Sequence, residues 1–176
     1  MVDLKKLIFY RRFIMNKILH TLILFILSLF ITGCSEKEVV KGSGKIVTEE
    51  RKVADYHAID LTGIGHLDIH QGDKISLSVK TDDNLLTYIE SDVRNGVLHI
   101  GPNTEGKSKN LNPSDNIYYI ATVKNLDDLS ISGFCNVQSI QKIKNEQLDI
   151  NVNGTASLNL DIDVKKFPIG KLRWIS

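Results

Sequence analysis

At 176 residues, 42% hydrophobic and 24% charged, the chain has the length and composition of one globular domain with a core of its own. Its net charge of +1 hides an uneven distribution. Residues 1–34 carry Lys5, Lys6, Arg11, Arg12 and Lys17 against Asp3 alone, and taking those five bases and one acid from the totals of 22 and 21 leaves the rest near −3. A mildly acidic domain with 7% aromatic residues lacks the basic footprint of a nucleic-acid binder and the stacking platform of a single-strand binder.

From Ile18 to Ile31 the chain is almost wholly apolar, with Lys17 immediately before it and Arg11 and Arg12 upstream. A basic segment followed by a short apolar run is the pattern of a secretory signal, and this run falls short of the roughly 20 residues that comfortably span a bilayer. Met15 offers an internal start. The run ends in Ile31-Thr32-Gly33-Cys34, which resembles the lipobox of bacterial lipoproteins. Small residues there let a peptidase thread an extended backbone, and the thiol of Cys34 is the nucleophile that takes the lipid. Residues 1–34 are therefore expected to be a lipoprotein signal peptide, with Cys34 lipidated and the chain held at a membrane by its N-terminal lipid. Ser35 resembles the residue that sorts such proteins to the outer membrane. A lipidated Cys34 leaves Cys135 with no disulfide partner, so stability must come from packing.

Residues 35–43 read as a tether, 44–165 as a β-domain and 166–176 as a divergent tail. Leu67 and Ile69; Ile75, Leu77 and Val79; Leu148, Ile150 and Val152; and Leu158, Leu160, Ile162 and Val164 each alternate with polar residues, the period of half-buried strands. Asp83 to Ile89 is the one stretch with room for a turn of helix. Asn95-Gly96 between Asp92-Val93-Arg94 and Val97-Leu98-His99-Ile100 marks a hairpin. Residues 101–116 are rich in Gly, Pro and Asn and read as a loop, and Ile117 to Val123 returns to strand.

One pattern recurs three times. Ile59-Asp60-Leu61-Thr62-Gly63-Ile64-Gly65-His66-Leu67 matches Leu129 to Val137 and Ile150 to Leu158, the last two offset by 21 residues. Each copy predicts a strand that ends, a glycine that turns, a small residue at the bend and a new strand. Gly63, Gly65, Gly133 and Gly154 are the structural corners of that repeat, and a period near 20 residues is the signature of a β-solenoid.

Candidate chemistry is sparse. His66, Asp68 and His70 share one face of a strand, but same-face neighbours stand about 6.6 Å apart along it, so the outer pair is too distant for one ion; a solvent face is the favoured reading. Gly42-Ser43-Gly44-Lys45 lacks the spacing of a phosphate-binding loop and reads as a strand-entry turn. Cys135 has no histidine placed beside it by any motif and reads as a packed thiol. Asp82-Asp83 and Asp127-Asp128 read as turn residues, not a glycosidase pair. No catalytic residue, metal site or cofactor is expected.

The segments Gly42 to Arg51 and Tyr56 to Asp73, then Asp82-Asp83-Asn84-Leu85-Leu86, Asn95 to Ile100 and Leu129 to Gly133, resemble in order the head GIN domain family, labelled "putative auto-transporter adhesin" and common in envelope lipoproteins. The likeness covers roughly residues 42–165. It implies an all-β, right-handed, single-stranded β-solenoid or β-helix with no catalytic residues. The tail after Val164 breaks the alternation and contains Pro168, so the solenoid is expected to be truncated at its C-terminal end, with an open edge prone to self-association. The function expected is a non-catalytic, lipid-anchored envelope protein that presents a solenoid face to a glycan or protein for adhesion or scaffolding. The alternatives are a polysaccharide-acting β-helix enzyme and a truncated, non-functional paralogue.

Overall fold

The computed structural model describes residues 38–103, 110–166 and 174–175, together with Met15, Lys17 and Ile18, which are helical. The rest of the segment read as a signal peptide, Cys34 included, lies outside the described residues, as does Pro168. Among the described residues no helix is long and apolar enough to cross a membrane.

The described residues from Glu38 onward are all-β, with mixed sheets. In chain order the strands are β1 (Val39–Lys41), β2 (Ile46–Arg51), β3 (Ala58–Gln71), β4 (Ser76–Asp82), β5 (Ile89–Arg94), β6 (Val97–Pro102), β7 (Asn110–Asn112), β8 (Tyr118–Val123), β9 (Asp128–Ser139), β10 (Ile143–Gln147), β11 (Asp149–Asn159), β12 (Ile162–Lys166) and β13 (Trp174–Ile175). Leu86–Tyr88 forms a single 3-10 turn.

The three copies of the repeat are the strands β3, β9 and β11, and they stack in parallel and in register. Ile59 faces Leu129 and Leu129 faces Ile150; Leu67 faces Val137 and Val137 faces Leu158. A second ladder, β10 on β12, runs parallel beside them at an offset of 19 residues, from Ile143 to Ile162. On its other side β3 takes two partners: β6 runs parallel to Ala58–Leu61, and β8 runs parallel to His66–Gln71. Beyond β8, β4 and then β2 continue the sheet antiparallel.

Two sequence readings need correction. No strand ends at the glycines, because pairing between β3 and β9 runs unbroken from Ala58 to Ile69 through the bend. Glycine supplies the bend through its backbone alone: Gly63, Gly133 and Gly154 have φ of 99°, 127° and 130°, a region that side chains disfavour, so the ribbon turns without giving up its ladder. The segments read as tether and loop also contain structure. Val39–Lys41 pairs in parallel with Asn110–Asn112, each too short for periodicity to reveal. In the tail, Trp174–Ile175 pairs with Val152–Asn153.

The hairpin lies where Asn95-Gly96 places it. Asn95 (φ 54°) and Gly96 (φ 78°) both adopt the left-handed region that a two-residue turn between β5 and β6 requires. Inward side chains of β3, β8 and β9 (Ile59, Leu61, Leu67, Ile69, Tyr119, Ala121, Leu129, Ile131 and Val137) fill one hydrophobic core that Leu77, Val79, Leu98 and Ile100 close from the sides.

Candidate functional site

The glycines predicted as corners come together. Gly63, Gly133 and Gly154 occupy facing positions on β3, β9 and β11, with Gly65, Cys135 and Ala156 facing one another two residues on. The approach is too close for any side chain. A Cβ on Gly133 would stand 2.1 Å from the carbonyl oxygen of Gly63, and one on Gly154 would stand 2.4 Å from that of Gly133. At Gly65 (φ 144°) a Cβ would meet the Tyr119 ring at 2.7 Å.

Between paired glycine and small residue, one side chain in each copy points outward: Ile64, Phe134 and Thr155, which face one another across the three strands. Phe134 is 71% exposed and Ile64 37%. Beside Ile64, where β6 has ended and β8 has not begun, lies a cleft of about 240 Å³ walled by Ile64, Pro102, Leu111, Ile117 and Tyr119, with Asn110 its polar member. This cleft escaped sequence reasoning because its walls come from four separate segments, three of them inside or beside the stretch read as loop.

Cys135 points inward. Its thiol is within 3.6 Å of the Gly63 carbonyl oxygen, toward which it can donate, and burial pushes it up to about 11. The neighbouring Tyr119 hydroxyl is likewise raised, by burial first and by Cys135 second. Both groups are held neutral, as packed core residues are.

Outward positions away from the bend form polar rows across the strands. One row runs Lys80, Tyr118, His66, Asn136 and Ser157, from β4 to β11; another sets Asp68 beside Gln138 and Asn159. His66 stacks on Tyr118 with ring centroids 5.1 Å apart, Lys80 lies 5.4 Å from the Tyr118 ring centre, and Gln138 Nε2 donates to Asp68 at 2.8 Å. His66 and Asp68 thus find partners on neighbouring strands, and among the described residues no three His, Cys, Asp or Glu side chains converge to hold a metal. On the other side of the bend, His99 Nδ1 lies 3.1 Å from Asp60 Oδ2, in a small cleft that also holds Arg94 and Glu90. Arg94 is committed to Asp92 and Glu90 at 2.7 and 2.9 Å, so its charge is compensated locally.

Gly42-Ser43-Gly44-Lys45 enters strand β2. It is latched to Asp82-Asp83-Asn84, the acids read as turn residues. The Ser43 hydroxyl and Lys45 ammonium reach Asp83 at 2.6 and 3.2 Å, Asn84 accepts from the Ser43 N–H, and Asp82 accepts from the Gly44 N–H at 2.7 Å. Asp127 pairs with His57 at 3.4 Å, and Asp128 accepts from Ser130 at 3.0 Å.

Parallel strands stacked on glycine bends and rowed with polar side chains define an all-β domain. The sequence signature of the family described as "Putative auto-transporter adhesin, head GIN domain" matches residues 55–170, and the chain belongs to that family. Among solved structures it is similar to a putative lipid binding protein from Parabacteroides distasonis, with 28% identity, a TM-score of 0.67, and coverage of 72% of this chain and 54% of that one. It is also similar to a putative adhesin from Parabacteroides merdae, at 22% identity, TM-score 0.58 and coverage of 74% and 60%. A putative adhesin from Parabacteroides distasonis matches at 23% identity, TM-score 0.60 and coverage of 74% and 63%. The chain thus spans between half and two thirds of the length of these solved structures. No curated protein matches it.

Proposed function

We propose that this protein is a non-catalytic cell-envelope lipoprotein, cut before Cys34 and acylated there, that presents a right-handed β-solenoid wall for adhesion or scaffolding. The observation that carries the reading is the register of β3, β9 and β11. It repeats outward positions at one strand spacing and so aligns Thr62, Ser132 and Asn153, or His66, Asn136 and Ser157, into rows. A row of hydroxyls and amides with an aromatic platform suits an extended glycan or polypeptide, which meets many weak donors and acceptors in sequence. Catalysis would instead require groups converging on one atom.

The anchor is tested by feeding cells a radiolabelled or alkyne-bearing fatty acid. Wild-type chain takes the label and Cys34→Ser does not; an unlabelled wild type ends the anchored reading. Protease applied to intact cells then separates surface display, in which the domain is shaved, from a periplasmic role, in which it is protected.

A second reading, lipid binding, has one observation in its favour: the apolar cleft beside Ile64, in a chain 28% identical to a structure described as a lipid binding protein.

A further inference from the structure

The described part of the domain exposes four large hydrophobic side chains, Val39, Ile64, Phe134 and Ile140. Two of them belong to one neighbourhood. Phe134 stands beside Ile64 on adjacent strands, and Ile64 walls the cleft whose lining includes Leu111 of β7. Strand β7 is in turn paired with β1, where Val40 is the partner of Leu111, while Val39 is the partner of Asn110 and stands on the other face of that pair. A clustered apolar patch on an otherwise polar-faced sheet marks a surface that is covered in use.

Chain length bounds how far Cys34 can lie from β1. Cys34 precedes Val39 by five residues, which span at most about 18 Å when fully extended. Strand β1 cannot drift from the cleft wall, because the Asn110 N–H donates to the Glu38 carbonyl at 3.0 Å and the Gly42 N–H donates to the Asn112 carbonyl at 2.9 Å. Among the described residues no ionised side chain lines the cleft, and its walls are mainly apolar.

We propose that this corner seats against the bilayer: Phe134, Ile64 and the adjoining cleft take up acyl chains of the leaflet in which the lipid on Cys34 is set. The proposal rests on the anchored reading above. It makes the anchor a two-point attachment, with the covalent lipid and an apolar side-chain patch together fixing which face of the stacked coils points away from the membrane.

The test uses the full lipidated chain carrying Phe134→Trp, reconstituted in vesicles of phosphatidylethanolamine and phosphatidylglycerol, with and without bromine on the acyl chains. The chain has one native tryptophan, so the signal is the difference from the parent protein. Phe134 is 71% exposed, so the larger ring has room outward and the substitution is expected to leave folding intact. The expected result is that brominated acyl chains quench most of the added emission and that vesicles shield it from aqueous iodide. Emission open to iodide and untouched by brominated lipid overturns the proposal while the fatty-acid label on Cys34 still stands. Shielding that appears without vesicles and fades on dilution also overturns it, since a second copy then covers the patch. A wild-type chain without the label removes the anchor and this proposal with it.

Discussion

Gly133 lies between β3 and β11, with its backbone against Gly63 on one side and Gly154 on the other, so a single methyl group there has nowhere to go. Its φ of 127° is disfavoured for any side chain, and the obstructing atom is a backbone carbonyl, not a side chain that could swing aside. Gly133→Ala is expected to cost at least about 3 kcal/mol of stability. Gly72→Ala is the internal control: its backbone is ordinary and the added methyl meets only Thr122 Cγ2 at 3.3 Å, so it should change stability by no more than about 0.5–1 kcal/mol. Urea denaturation of both variants checks the contrast, and equal midpoints would contradict it. The same stack protects Cys135. With burial holding its thiol up to about 11, alkylation at pH 8 is expected to be slow in the folded chain and rapid in denaturant, so the rate of thiol labelling reports opening of the bend. These glycines were legible in the sequence because the bend demands the same residue at the same place in each coil. The outward Phe134 carried no such mark, since an isolated Phe reads equally well as core.

At the scale of elements, Asp82 is the buried member of the latch that holds the edge carrying β1 and β2. Asp82, fully buried at the end of β4, accepts hydrogen bonds from the Gly44 N–H, the Ser114 N–H and the Ser114 hydroxyl, tying two chain segments to the sheet. Burial alone would raise its pKa, but the Ser114 hydroxyl and the two N–H groups together outweigh that and hold it below its ordinary 3.8. A lowered folded pKa means that the contribution is complete well above pH 3.8 and is lost as the pH falls below 3.8 and through the folded value. Asp82→Asn places an amide N–H against a donor and is expected to cost about 2 kcal/mol at neutral pH. It should also flatten the acid limb of the stability curve. Thermal melts from pH 7 to pH 2.5 check both effects, and an unchanged acid limb would remove Asp82 from the account. The turn character of Asp82-Asp83 was visible in the sequence, but its partners lie 38 and 32 residues away, at Gly44 and Ser114. Distance of that kind also hid β1 and β7, and it hid the insertion that places β4 to β8 between the first two coils. Alternation identifies a strand; it carries no information about which strand lies beside it.

In the domain as a whole, the parallel strands contribute stability through their nearest neighbours, so the cost of a cavity depends on where in the stack it opens. Strand β3 has neighbours on both sides along most of its length, with β9 on one edge and β6 or β8 on the other. Strand β11 has β9 on one edge, while among the described residues the other meets β13 only at Val152 and Asn153. Leu67 and Leu158 hold equivalent positions in these two coils, both facing Val137, yet Leu67 is fully buried and Leu158 only partly. Leu67→Ala should therefore cost about 3 kcal/mol, the toll of a cavity closed on all sides. Leu158→Ala should cost nearer about 1 kcal/mol, because solvent or a small shift can fill the space. Denaturant midpoints at unchanged slope measure the difference. Hydrogen exchange tests the same gradient without mutation: amides of Ile59 to Ile69 should exchange only through global unfolding, and those of β11 through smaller openings. A β11 that outlasted β3, or a Leu158→Ala as costly as Leu67→Ala, would mean that the last described coil is braced as firmly as the first. The stability gradient would then have to be abandoned, although the parallel register that aligns the polar rows would stand.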